Sequence, residues 1–136
     1  MLKKTIKYTD FDGNQREEDF YFNLTQAELT EIQLGSAGGF DKYIKRIAQQ
    51  QNTEEMLAFY TMLITKSYGV KSDDGKYFRK SKEAIEDFKS TNAYDVIFNE
   101  LADTEKFTEF FLAVIPSEAA NSIKTAMAKG EFNLPS

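Results

Sequence analysis

Apolar and polar residues alternate along the first 22 residues, on both sides of the turn sequence Asp10-Phe11-Asp12-Gly13. A two-residue period is typical of a strand with one buried face, and an Asp-Gly sequence favours a tight turn with the glycine in the left-handed conformation. The pattern therefore predicts a β-hairpin in which Lys7 faces Glu17 on the outer side. The opposite, inner face is predicted to hold Leu2, Lys4, Ile6, Tyr8, Phe20 and Phe22.

A two-stranded hairpin is only marginally stable by itself, so this one requires helices to pack on. Thr25 and Glu28 match a capping box, and Leu24 and Leu29 have the spacing of a hydrophobic staple, so the first helix is predicted to begin here and to stop near Gly35. Helical periodicity then recurs in segments that begin near residues 40, 53, 81, 94, 104 and 117, whereas residues 69–80 indicate a loop or short hairpin.

Several residues are expected to set the ends of these helices. Ser81 and Thr104 are predicted N-caps, Pro116 is predicted to stop a helix, and Ser117 to start the last one. The helix that begins at Thr53 is predicted to be central to the core. Its apolar stripe leaves Phe59 and Met62 outside and consists of Met56, Leu57, Tyr60, Leu63, Ile64 and Tyr68.

These elements predict an α+β protein, mostly helical, in which an N-terminal β-hairpin packs on a bundle of about five to seven helices. A chain of 136 residues is the usual size of one domain, and neither a linker nor a repeat interrupts it. We therefore expect a single domain over residues 1–136, composed of a hairpin at 1–24, a helical part at 25–130 and a flexible tail at 131–136.

Histidine and cysteine are absent from the sequence. Their absence removes the commonest general base, thiolate nucleophiles and the most frequent metal ligands. The Asp10–Asn14 segment begins like a calcium loop, but Gln15 and Tyr21 stand where an EF-hand requires glycine and glutamate. We predict no catalytic residues, no metal and no cofactor. A hydrolase that works through two carboxylates remains the enzymatic alternative, with Glu17, Glu18, Asp19, Asp73 and Asp74 as the dense acidic groups.

The net charge of −5 and the mixing of lysines with carboxylates argue against nucleic-acid binding, which requires a clustered positive face. No stretch approaches the roughly 20 apolar residues that span a bilayer. We therefore expect neither a nucleic-acid nor a membrane partner. The absence of cysteine fits a reducing compartment, and we expect a cytoplasmic protein with a basic or neutral protein partner.

Residues 94–115 contain more large apolar side chains than one stripe per helix can bury. One interpretation is that they complete the core against the helix that begins at Thr53. The other is that part of them forms a groove for an amphipathic helix of a partner. The predicted partner-binding surface is drawn from Phe107, Phe110, Phe111, Leu112 and Ile115, with help from Phe59 or Met62.

Three blocks of the sequence carry a resemblance: KTIKYTDFDGNQREEDFYFNLTQAEL, YGVKSDDGKYFRKS and AYDVIFNELA. In this order and spacing they resemble the tail assembly chaperones of long-tailed bacteriophages and prophages, over residues 4 to about 116. The resemblance implies a non-enzymatic protein in the cytoplasm of the bacterial host. Such a chaperone binds the tape measure protein and keeps it soluble until the tail tube polymerises.

The resemblance also implies a longer form, made by ribosomal frameshifting, that recruits the tail-tube protein, and the chain that ends at Ser136 would then correspond to the short form. Many copies of a small acidic protein are expected to cover one client, so a homo-oligomer is compatible with this role. The alternative interpretation is a structural subunit of the phage tail or of the head connector.

Overall fold

The computed structural model describes residues 1–34 and 53–130. The strands in these ranges are β1 (Leu2–Thr9), β2 (Gln15–Phe22), β3 (Tyr68–Lys71) and β4 (Phe78–Arg79). The helices are α1 (Gln26–Leu34), α2 (Thr53–Ser67), α3 (Lys82–Lys89), α4 (Asn92–Glu100), α5 (Thr104–Val114) and α6 (Ser117–Ala128). This confirms the α+β, mostly helical class. The helix predicted around residues 40–48 and the predicted tail at 131–136 lie outside the described residues.

The N-terminal hairpin has the register that its apolar pattern predicts. Leu2 pairs with Phe22 and Lys4 with Phe20, so the two strands present their apolar residues on one face. On the outer face Lys7 lies opposite Glu17, with Lys7 Nζ 4.0 Å from the carboxylate. Gly13 closes the turn at φ +84°, a left-handed conformation that glycine adopts without a steric cost.

A second, shorter hairpin extends the same sheet. β3 pairs antiparallel with the end of β2, and β4 pairs antiparallel with β3, which gives the strand order β1-β2-β3-β4. The turn between β3 and β4 includes Gly75 at φ +76°. Of the two structures predicted for residues 69–80, a loop or a short hairpin, the second is confirmed.

Side-chain caps fix where the helices begin. The Glu28 amide donates to Thr25 Oγ1 at 3.2 Å, and the Thr25 amide donates to Glu28 Oε1 at 2.9 Å, which confirms the capping box. Ser81 caps α3 as predicted. The N-cap predicted at Thr104 is wrong, because Asp103 accepts the Lys106 amide at 3.1 Å and Thr104 is already helical. Aspartate is as good an N-cap as threonine, and here the two are adjacent.

The core lies between the inner face of the hairpin and the helices, and aromatic rings fill much of it. The Phe22 ring lies 5.3 Å from Phe110 and 5.9 Å from Phe88, both in edge-to-face geometry. Two backbone hydrogen bonds join the chain after β2 to the ends of two helices: the Asn23 amide donates to Ser67 O and the Leu24 amide to Val114 O, each at 2.7 Å. The hairpin is thereby fixed to both α2 and α5.

Candidate functional site

Five of the seven side chains predicted to bind a partner are part of the core. They are between 0% and 5% exposed, and they are Phe59, Phe107, Phe110, Phe111 and Ile115. Of the two interpretations of the apolar surplus, completion of the core is therefore the one observed for these five side chains. The physical reason is helix packing. The Phe59 ring lies 5.7 Å from Phe107 and 6.3 Å from Phe111, so the side of α2 that lies outside its predicted apolar stripe is covered by α5.

The other two predicted side chains, Met62 and Leu112, are half-buried and pack against the edge of the core. Leu57 was predicted to be inside the stripe of α2, yet it is 44% exposed. Leu57 and Met62 are five positions apart, which places them about 140° apart around the helix and hence on different sides of α2. Binding of a partner by Met62 or Leu112 stays a prediction.

The most exposed large apolar side chain in the described part of the chain is Phe11, at 80%. It stands in the turn of the first hairpin, where polar residues are the rule. Burying a phenylalanine stabilises a protein by about 1.5–3 kcal/mol relative to leaving it in water, and Phe11, at 80% exposed, gains little of this stabilisation within the described part of the chain. Such a residue is a candidate contact for another molecule.

A cleft of about 440 Å³ lies directly beside Phe11. The first hairpin forms one wall, and the end of α3 with the start of α4 forms the other. Its lining consists of Tyr8, Asp10, Phe11, Asp12 and Arg16 on the hairpin side and Asp87, Ser90, Thr91 and Asn92 on the helix side.

Local hydrogen bonds hold both walls in place. Asp10 Oδ1 accepts the amides of Asp12 at 3.0 Å and Asn14 at 2.9 Å, which fixes the turn around Phe11. Asn92 Nδ2 donates to Thr9 O at 2.8 Å and so ties the first turn of α4 to the end of β1. Hydrogen bonds therefore fix both the hairpin turn and the start of α4, which form the two walls of the cleft.

The charges in the cleft are only partly compensated. Arg16 donates to Asp10 at 2.7 Å and to Glu18 at 3.4 Å, so this guanidinium is already paired. The hydrogen bond from Arg16, with the Asn14 and Asp12 amides, holds the pKa of Asp10 below its ordinary value. Within residues 1–34 and 53–130, Asp12 and Asp87 have no ion-pair partner. The cleft is thus suited to a cationic side chain with an apolar or aromatic neighbour.

Tyr8 lines the cleft and donates a hydrogen bond to Glu18. This hydrogen bond and burial raise the pKa of the Tyr8 phenol, so the group is neutral at physiological pH. In the described ranges no cluster of three or more acidic, histidine or cysteine side chains could hold a metal ion, and no helix there is long and apolar enough to cross a membrane.

No pattern in the sequence predicts this cleft. Its two walls come from residues 8–16 and 87–92, which no local pattern connects. The only local signal is Phe11, an aromatic residue inside an otherwise polar turn.

A family model described as phage tail assembly chaperone matches residues 1–134. No curated protein and no solved structure matches the chain.

Proposed function

Because this chain belongs to the phage tail assembly chaperone family, we propose that it binds the tape measure protein of its phage and keeps that protein soluble until the tail tube polymerises. The observation that carries the proposal is the match of the family model to residues 1–134. The family suggests a non-enzymatic role and implies interaction with phage tail proteins.

The physical task of such a chaperone is to cover apolar surface reversibly. A long helical client with repeated apolar faces would associate with itself in water, because burial of apolar area drives association. A small protein with a net charge of −5 that covers those faces would replace apolar surface with charged surface. The complex of client and chaperone then stays dispersed in the host cytoplasm. A longer, frameshifted form would deliver the tail-tube protein to the same client.

The client contacts are assigned here to half-exposed apolar side chains on α2 and α5. Leu57 is 44% exposed, while Met62 and Leu112 are half-buried at the edge of the core. A helix that docks with its apolar face needs a few such anchors on its receptor. Since Leu57 and Met62 lie on different sides of α2, single substitutions will show which side receives the client.

We expect Leu57→Ser or Met62→Ser to weaken client binding by about 1–4 kcal/mol. The Leu57→Ser change should leave the free energy of unfolding within about 0.5 kcal/mol of the parent, because the side chain is largely in water already. Val70→Ser is the matched control, since Val70 is 48% exposed but belongs to β3. Binding is measured by titration with a tape measure fragment, and unchanged affinity in both serine variants and in Leu112→Ser would remove the α2–α5 surface from the proposal.

Co-purification from infected cells tests the function itself. We expect the tape measure protein to be the main phage protein recovered with the tagged chain, and the chain to be absent from purified virions. A structural subunit of the tail or head connector would instead be found in the particles at fixed copy number. That result would contradict the chaperone function.

A further inference from the structure

We propose that the cleft beside Phe11 receives the Lys76–Tyr77–Arg79 cluster of a second copy of this chain. This contact between copies does not depend on the client, so it stands or falls independently of the proposed function.

The receiving surface offers apolar area and uncompensated negative charge. Phe11 is 80% exposed at its edge, and Asp12 and Asp87 have no ion-pair partner among the described residues. Its volume of about 440 Å³ is within the range of pockets that enclose small ligands. One aromatic ring with one basic side chain is a ligand of that size.

The inserted surface is the short hairpin between β3 and β4. Tyr77 is 49% exposed, although it is large and aromatic. Lys76 Nζ lies 5.3 Å from the centre of the Tyr77 ring, and Arg79 Cζ lies 4.8 Å from it. The ring therefore makes cation–π contacts with two basic side chains. In the described part of the chain neither cation has a carboxylate partner.

The two surfaces complement each other in charge and in chemistry. Two cations and a tyrosine meet two carboxylates and a phenylalanine, and aromatic residues with arginine are the side chains that most often dominate interface energies. Since each copy has a net charge of −5, association requires that the opposite charges be brought together locally. A basic segment of the client would satisfy the same cleft, but the complementary cluster is already present on this chain.

The contact joins two different surfaces, so it is heterologous. After two copies have bound, one copy still has a free cleft and the other a free cluster, so further copies can bind unless the assembly closes into a ring or a pair. The structure therefore provides a means of placing more than two copies side by side.

Charge reversal tests the contact, with sedimentation velocity of the full chain over a range of concentrations as the readout. Asp12→Lys with Asp87→Lys makes a reversed cleft, and Lys76→Glu with Arg79→Glu makes a reversed cluster. Either double variant alone should raise the Kd of self-association by at least about tenfold. An equimolar mixture of the two should associate again, because each reversed surface then meets its complement.

Glu109→Lys and Lys124→Glu are charge controls on exposed positions of α5 and α6, and they should associate as the parent does. Thermal melting of every variant verifies folding, and Phe11→Ser, an uncharged change at an exposed position, should also weaken association.

The proposal is overturned if the parent chain is monomeric at all concentrations tested. It is equally overturned if the mixture does not associate, or if the reversed cleft weakens binding of a tape measure fragment and leaves self-association unchanged.

Discussion

The Lys80 ammonium joins three parts of the chain through all three of its hydrogens. Lys80 Nζ donates to Asn23 O at 2.5 Å, to Lys66 O at 2.7 Å and to Glu28 Oε2 at 2.7 Å. The first acceptor follows β2, the second lies in the last turn of α2, and the third belongs to the capping box of α1. The Lys80 side chain is 17% exposed, and its bonds to Asn23 and Glu28 are partly buried, whereas its bond to Lys66 O is exposed.

Lys80→Met retains the alkyl stem and removes these three donors. We expect a loss of about 1–3 kcal/mol in the free energy of unfolding, because the partly buried acceptors on Asn23 and Glu28 lose this donor. Lys82→Met, at an exposed position two residues away, should stay within about 0.5 kcal/mol of the parent. Urea denaturation followed by circular dichroism measures both, and equal midpoints for the two variants would contradict a structural role for Lys80.

The same ion pair predicts acid sensitivity. Burial raises the pKa of Glu28, but hydrogen bonds from Lys80 and the Thr25 amide lower it by more, so the pKa lies below its ordinary value of 4.5. A carboxyl whose pKa is depressed in the folded state stabilises the fold above the unfolded pKa. That stabilisation is lost as the pH falls through the folded pKa.

We therefore expect the free energy of unfolding to decrease as the pH drops below 4.5, and to decrease less in Glu28→Gln. Part of the decrease should persist in the variant, because the pKa of Asp10 is also depressed, chiefly by Arg16. Denaturation curves at several acidic pH values test this. Identical pH dependence of the variant and the parent would show that the Glu28 pair contributes nothing.

At the scale of the element, the first hairpin contains two phenylalanines in opposite environments. Phe22 is fully buried and contacts Phe88 and Phe110, whereas Phe11 is 80% exposed in the turn. Phe22→Ala should cost about 3–5 kcal/mol of folding stability, because it leaves a cavity in the core. Phe11→Ala should change stability by no more than about 0.5 kcal/mol. Comparable losses in the two melts would contradict the register of the hairpin.

The elements that sequence alone predicted well are those determined by neighbouring residues. The hairpin register follows from its two-residue period, and the start of α1 follows from the reciprocal bonds of Thr25 and Glu28. Local patterns were insufficient where burial depends on a distant element. Phe59 lies outside the predicted stripe of α2 but is fully buried, because Phe107 and Phe111 of α5 cover that side.

Local sequence patterns predict the candidate site even less well than they predict burial. Counting apolar residues over 94–115 suggested a surplus at the surface, yet the phenylalanines of α5 complete the core instead. The cleft beside Phe11 requires the α3–α4 junction to approach the hairpin turn. That approach is fixed by tertiary contacts such as Asn92 to Thr9, which no periodicity encodes.

At the scale of the whole molecule, the large apolar side chains that stay exposed within residues 1–34 and 53–130 are few and scattered. They are Met1 and Phe11 in the first hairpin segment, Leu57 on α2, and Val70 and Tyr77 in the β3–β4 hairpin. Such small contacts favour weak, reversible binding by each copy, and affinity for a long client then depends on many copies acting together. Under the proposed function, in which the tail tube displaces the chaperone from its client, binding must be reversible in this way.

The amount of tape measure protein that stays in solution tests the chaperone function most directly. A tape measure fragment is diluted from denaturant into buffer with increasing amounts of this chain and then centrifuged, with an unrelated acidic protein of similar size as the control. We expect the soluble fraction to rise with the amount of this chain until the client is saturated, and not to rise with the control. A soluble fraction that is the same with the chain, with the control and with buffer alone would contradict it.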